Sequence, residues 1–122
     1  MTLRELYQEI GGDYDQAAKV LRVEKLIDKH IRKFNKNGVV EQLLEAGRSG
    51  DANRIFEAAH AAKGVCGNLG FKALSEMASE IAEEYRPGHP RALSDDEVRA
   101  RLDSIAGQYR LTTEGIRRYE QI

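Results

Sequence analysis

Apolar residues recur along most of the chain at the three- and four-residue spacing of amphipathic helices, and no stretch alternates as a half-buried β-strand does. The pattern is most regular near the C-terminus, where steps of four and three separate Val98, Leu102, Ile105, Tyr109, Thr112, Ile116 and Tyr119. This spacing is typical of a seam between packed helices. The pattern therefore predicts an all-α protein.

Capping residues predict where several of these helices begin. The candidate caps are Thr2, Asp13, Asp51 and Ser94. Thr2 and Ser94 are each followed three residues later by Glu, which matches the capping-box pattern. Asp51 predicts a helix over about 52–68, which Gly70 ends or kinks.

Another apolar stripe begins near residue 23 and is predicted to face the core; it consists of Val23, Leu26, Ile27, Ile31 and Phe34. Together the segments predict an antiparallel four-helix bundle with one or two additional short N-terminal helices. We expect a single domain over 1–122 with its bundle core at about 23–119. Met1 and the complete bundle pattern favour an independent gene product.

Composition narrows the possible functions. Lys and Arg number 19 and Asp and Glu 20, so the net charge of -1 predicts no nucleic-acid or membrane partner, and any charge-based function must be local. The N-terminal stretch has acidic residues and no apolar run, which favours a cytoplasmic protein over a secreted or membrane-spanning one. The single cysteine, Cys66, cannot form an intramolecular disulfide. The three histidines include no i, i+4 pair, so we expect no metal site.

The helix predicted over 52–68 carries interior glycines that ordinary helices disfavour by about 1 kcal/mol each. At about 100° per residue, its apolar side contains Ile55, Ala58, Ala62, Val65 and Leu69. His60 points roughly the opposite way, and Gly64 and Gly67 lie on its side. These glycines could permit close helix packing, but their distance from the apolar stripe favours a surface kept bare so that a large partner can approach His60.

This layout suits phosphoryl transfer through an imidazole nitrogen, since histidine is a usable nucleophile near neutral pH. Lys63, one turn from His60, would stabilise the charge of an attached phosphoryl group. Phe56, which we expect to be exposed on the same face, would anchor a docking protein. We expect Gly67 and Lys72 to contact that partner as well.

The segment AHAAKGVCGNLG, residues 59–70, resembles the signature of histidine-containing phosphotransfer (Hpt) domains. In that signature the histidine is followed by lysine three residues later and by glycines four and ten residues later, which here are His60, Lys63, Gly64 and Gly70. The resemblance implies a phosphorelay intermediate that exchanges a phosphoryl group with aspartate of receiver domains. Its partners would be response-regulator receivers or a hybrid histidine kinase. It would be a monomeric phosphocarrier without a nucleotide site or cofactor of its own, and Mg²⁺ would come from the receiver.

Many members of this family place a glutamine 22 residues after the histidine to orient its ring, and this chain has Ala82 there. Ser79 and Glu83 are the candidate replacements. Ala82 leaves open a non-catalytic Hpt-like module that binds a receiver or kinase without phosphotransfer. A metal-dependent bundle enzyme would need inward Glu-x-x-His pairs, which the sequence lacks.

Overall fold

A computed structural model describes residues 1–121 of the chain. All regular secondary structure in that part is helical, so the all-α prediction is confirmed. The helices are α1 (Leu3–Glu9), α2 (Tyr14–Leu21), α3 (Glu24–Phe34), α4 (Val39–Ser49), α5 (Ala52–Asn68), α6 (Lys72–Glu84) and α7 (Asp95–Glu120).

Helices α4 to α7 form the bundle, in which α4 and α6 each pack against both α5 and α7. Because short connections join α4 to α5 and α5 to α6, each helix returns beside the one before it. The two short helices expected at the N-terminus are α1 and α2. The bundle core was expected to begin near residue 23, but α3 lies there and the bundle of α4 to α7 begins at Val39. Helices α1 and α3 pack on α7, while α2 packs on α5. The N-terminal helices thus cover one end of the bundle.

The predicted helix starts are confirmed by their hydrogen bonds. Thr2 and Ser94 each form a complete capping box, and the side chains of Asp13 and Asp51 accept hydrogen bonds from backbone N–H groups in the next turn. Gly70 follows α5 with φ +73°, and a Cβ there would overlap the carbonyl oxygen of Asp13. The Asp13 N–H donates to the Gly70 carbonyl at 2.7 Å. The end of α5 is therefore joined directly to the start of α2.

The α7 seam is confirmed, since its members are buried apart from the half-buried Tyr109. The stripe predicted from residue 23 is partly wrong. Ile27, Ile31 and Phe34 are buried, whereas Val23 and Leu26 are 52% and 41% exposed. Val23 precedes the first turn of α3 in an extended conformation, so the corner between α2 and α3 turns both side chains away from the core.

Candidate functional site

His60 lies in the middle of α5 with its side chain exposed, as the helical wheel predicts. Its ring stacks on Phe56, with ring centroids 5.8 Å apart and planes inclined by 22°. Phe56 is half-buried and packs against the core, so the expectation that it stands exposed is wrong. A core-anchored phenylalanine in the preceding turn therefore stacks against the imidazole.

The buried arc of α5 is shifted from the predicted one. The fully buried residues of α5 are Ile55, Ala59, Ala62 and Cys66, while Ala58 and Val65 are only half-buried. The shift arises because α5 packs against α4, α6 and α2. The positions of these three helices decide which side of α5 is buried. His60 remains on the exposed side under either description.

His60 lines an open groove of about 480 Å³. Its walls come from α5, from the first turns of α6 and from the start of α2, and include His60, Lys63, Gly64, Gly67, Lys72, Ser75, Glu76, Asp13 and Gln16. The groove therefore brings together the histidine, the lysine, both glycines and Lys72, all of which the sequence singled out.

The two interior glycines of this groove differ in what surrounds them. A Cβ on Gly64 would meet nothing within 4 Å, so the fold does not require glycine there. A Cβ on Gly67 would lie 3.2 Å from Oγ of Ser75, which itself donates to the Lys63 carbonyl at 3.1 Å. Gly67 thus permits the close approach of α6 to α5, and the interpretation that both glycines stand clear of helix packing is wrong for Gly67.

The residues proposed to orient the imidazole do not bond to it in this structure. Within residues 1–121, neither Ser79 nor Glu83 makes a hydrogen bond with the His60 ring, and the Glu83 carboxylate pairs with Arg86 at 3.3 Å. Ala82 is buried. Among the described residues, Phe56 contacts the His60 ring by stacking on it.

Five groove residues were not predicted from the sequence as site residues: Asp13, Gln16, Asn68, Ser75 and Glu76. Ser75 and Glu76 could have been found by counting, because in an antiparallel hairpin the residues after the turn return beside those before it. No sequence signal places α2 on this groove. Its position depends on the tertiary contact between Asp13 and Gly70.

Other reactive groups are less suited to chemistry. Cys66 is buried, and burial raises the pKa of its thiol to about 12, so it is not a nucleophile at neutral pH.

In the part of the chain that the structure describes, no cluster of three or more His, Cys, Asp or Glu could hold a metal ion. None of the helices described over residues 1–121 combines the length and the apolar character needed to cross a membrane.

Comparison with known families gives one match. The model of a family described as Hpt domain matches residues 37–108, which is more than half of the chain and runs from the turn before α4 into α7. The matched range contains His60 and leaves α1 to α3 outside it. Searches of curated proteins and of solved structures found no match to this chain.

Proposed function

Because the chain belongs to the Hpt domain family, whose members are histidine phosphotransfer modules of two-component signalling, we propose that it is a phosphorelay intermediate. A nitrogen of the His60 imidazole attacks the phosphorus of an aspartyl phosphate on a receiver domain. The N–P bond forms, the O–P bond breaks, and the aspartate leaves as its carboxylate. The reverse reaction passes the phosphoryl group to aspartate of a second receiver.

The observation that best supports this proposal is the bare helix surface at Gly64. Glycine inside a helix costs about 1 kcal/mol relative to alanine, and nothing in the fold occupies the space that a Cβ would fill there. Gly64 is exposed in the groove that contains His60. Glycine at this position therefore destabilises the helix without improving any packing inside the fold. The bare surface is explained if another protein must approach the imidazole closely.

Two further residues support the chemistry. Lys63 is exposed in the same groove, where its ammonium group would stabilise the negative charge of the phosphoryl group in the transition state and on the phosphorylated ring. Phe56 holds the imidazole by stacking, which fixes the plane of the ring relative to the approaching phosphorus. We propose that this contact replaces the hydrogen bond that glutamine provides at the position of Ala82.

The proposed transfer uses no nucleotide bound by this chain, which acts as a phosphocarrier. We expect Mg²⁺ to be held by the carboxylates of the receiver, since oxygen ligands are those that this ion prefers. In this chain, the residues proposed to act on the phosphoryl group are His60 as acceptor and Lys63 as stabiliser.

Labelling with phosphorylated receivers tests the proposal. We expect the wild-type chain to acquire an acid-labile label and His60→Gln to acquire none. His30→Gln and His89→Gln are matched controls because both histidines are exposed and lie outside the groove; both should label like the wild type.

The rival interpretation, a non-catalytic binding module, gives a different result. It predicts that a receiver binds the wild-type chain tightly while no label appears on His60. It draws support from the lack of a hydrogen bond to the His60 ring within residues 1–121. Label on wild type that is absent from His60→Gln would exclude it.

A further inference from the structure

The turn between α2 and α3 exposes an unusual combination of side chains. Three cations are each followed by an aliphatic residue, in the pairs Lys19–Val20, Arg22–Val23 and Lys25–Leu26. The aliphatic side chains are 42%, 52% and 41% exposed, in chain order. All three cations are exposed, and none of them forms an ion pair within residues 1–121. We call these six residues the α2–α3 corner.

Charge is concentrated around this corner. Residues 16–36 contain seven Lys or Arg and two Asp or Glu, a formal charge of +5, in a chain whose total is -1. The bulk composition therefore hides a local positive surface. Cations beside exposed aliphatic groups suit a partner surface that is acidic around an apolar centre.

The backbone at the tip of the corner is strained. Arg22 has φ +70° and is the one non-glycine residue with positive φ in the part of the chain that the structure describes. The Val23 N–H donates to the Leu21 carbonyl at 2.8 Å, which closes a γ-turn around Arg22. A γ-turn with positive φ is rare and strained for a residue with a side chain, and such strain clusters at functional sites. Glycine would adopt this conformation without strain, yet the chain places an unpaired arginine there.

The α2 side of the corner lies beside the groove around His60. Gln16 lines that groove, and Lys19 and Val20 follow three and four residues later on the same face of α2. Leu21, the last residue of α2, lies about 7.5 Å further along the helix axis than Gln16, and Arg22 follows it. A standard interface covers about 800 Å² per partner, equivalent to a disc about 30 Å across. A protein centred on the groove therefore extends over α2 towards the corner.

We propose that the α2–α3 corner is a second contact site for the receiver that exchanges its phosphoryl group with His60, and that it selects receivers with an acidic, apolar-centred patch beside the phosphorylation site. This inference rests on the proposed function. A receiver that holds Mg²⁺ near its aspartate needs carboxylates there, so the surface approaching His60 is acidic. The cations of the corner speed association, and its aliphatic side chains add apolar area that binding removes from water. The corner lies outside the range that the family model matches.

Transfer kinetics test the proposal. The half-saturating receiver concentration reports docking, and the rate at saturation reports the chemistry at His60. A charge variant combines Lys19→Glu, Arg22→Glu and Lys25→Glu, and an apolar variant combines Val20→Ser, Val23→Ser and Leu26→Ser. The matched control is Arg110→Glu with Leu111→Ser, a cation–aliphatic pair exposed on α7 with Leu111 41% exposed.

We expect the charge variant to raise the half-saturating concentration about tenfold at low salt, with a smaller difference at high salt. The apolar variant should raise it at both salt concentrations, and the control should behave like the wild type. The rate at saturation should stay unchanged throughout. The proposal would be overturned if the corner variants and the wild type had the same half-saturating receiver concentration. It would also be overturned if the control raised that concentration as much as the corner variants do.

Arg22→Gly separates docking from folding. Because glycine relieves the strain at φ +70°, this variant should unfold at the same temperature as the wild type or higher, and should still dock more weakly. If Arg22→Gly docks as well as the wild type, Arg22 does not contact the receiver.

Two other outcomes are distinguishable. If the wild type sediments with phosphatidylserine vesicles, the charge variant does not, and receiver docking is unchanged, the corner is a membrane contact and the proposal is wrong. If a receiver phosphorylates His60 and the corner variants dock as well as the wild type, the corner proposal is wrong while the proposed function stands. If no receiver labels His60, the proposed function fails as well.

Discussion

Gly64, Gly67 and Gly70 lie within ten residues of His60, and the structure gives each a different physical role. Gly70 is required by its backbone, because φ is +73° and a Cβ would overlap the Asp13 carbonyl. Gly67 permits the close approach of Ser75 on α6. At Gly64 neither the backbone conformation nor a close neighbour requires glycine, since the space beside it is empty. At the scale of single residues, the glycine with no internal role is the one most informative about function.

Gly64→Ala should separate stability from transfer. We expect the free energy of unfolding to rise by about 0.5–1 kcal/mol, because alanine is the better helix former and its Cβ meets nothing. Phosphotransfer from a receiver should fall, because the added methyl group stands in the approach to His60. Denaturant unfolding and labelling rates measure the two effects.

Gly107→Ala is the matched control for that prediction. Gly107 is exposed inside α7, and a Cβ there also meets nothing within 4 Å. It should gain the same stability without losing transfer. If Gly64→Ala transfers as well as Gly107→Ala, the bare surface beside His60 has no role in docking.

At the scale of elements, the connection between α6 and α7 shows how a segment that sequence patterns identify only as a linker is held in place. Glu84 at the end of α6 is 5% exposed. Its carboxylate accepts hydrogen bonds from Nε of Arg91 at 2.7 Å and from the N–H groups of Ala92 and Leu93 at 3.0 and 2.9 Å. The Arg91 guanidinium also lies over the Tyr85 ring, 4.3 Å from its centroid. One carboxylate thus anchors the linker just before α7 begins.

Glu84→Gln should make the free energy of unfolding less dependent on pH. The hydrogen bond and charge of Arg91, together with the Leu93 and Ala92 N–H groups, hold the pKa of the Glu84 carboxyl below its usual range. A lowered folded-state pKa stabilises the fold above the unfolded-state pKa of about 4.3, and this contribution disappears as pH falls through the folded-state value. The variant should therefore unfold at a lower denaturant concentration than the wild type at pH 7, and the difference should shrink below about pH 4.

Glu83→Gln is the control at the neighbouring position. Glu83 pairs with Arg86 at 3.3 Å, and about half of each side chain is exposed. Exposed pairs of this kind contribute little to stability, so the control should unfold like the wild type at both pH values. A constant difference between Glu84→Gln and wild type across pH would show that the carboxylate charge is not what anchors the linker.

At the scale of the whole molecule, the N-terminal helices and the bundle share one hydrophobic core. Their buried contribution consists of Leu3, Leu6, Tyr7, Ile10, Ala17, Ile27, Ile31 and Phe34. The Phe34 ring lies 4.8 Å from that of Phe71, and the Tyr7 hydroxyl donates to the Leu69 carbonyl at 2.5 Å. We therefore propose that residues 1–36 fold together with α4 to α7 as one domain.

A chain shortened to residues 37–122 tests this proposal. Removing α1 to α3 would leave Phe71 and the C-terminal half of α7 facing water, so we expect the fragment to bind a hydrophobic dye and to lose cooperative unfolding. Thermal unfolding followed by circular dichroism measures this. A fragment that melts cooperatively near the temperature of the full chain would show that the matched family range is sufficient for folding.

The amino-acid sequence by itself determined the helices, their caps, the α7 seam and the exposed position of His60 beside Lys63 and Gly64. These features are local, because capping and helical periodicity act over a few residues and report which side of a helix is buried. Periodicity does not report which element covers that side.

Only the tertiary structure decided the features that depend on contacts between distant segments. The placement of α2 on the His60 groove depends on Asp13 meeting Gly70, and the close contact at Gly67 depends on Ser75 of α6. The exposure of Val23 and Leu26 depends on how α2 and α3 meet. A hydrophobic pattern assigns a residue to a face of its own helix, but its burial is settled by the neighbours that pack there.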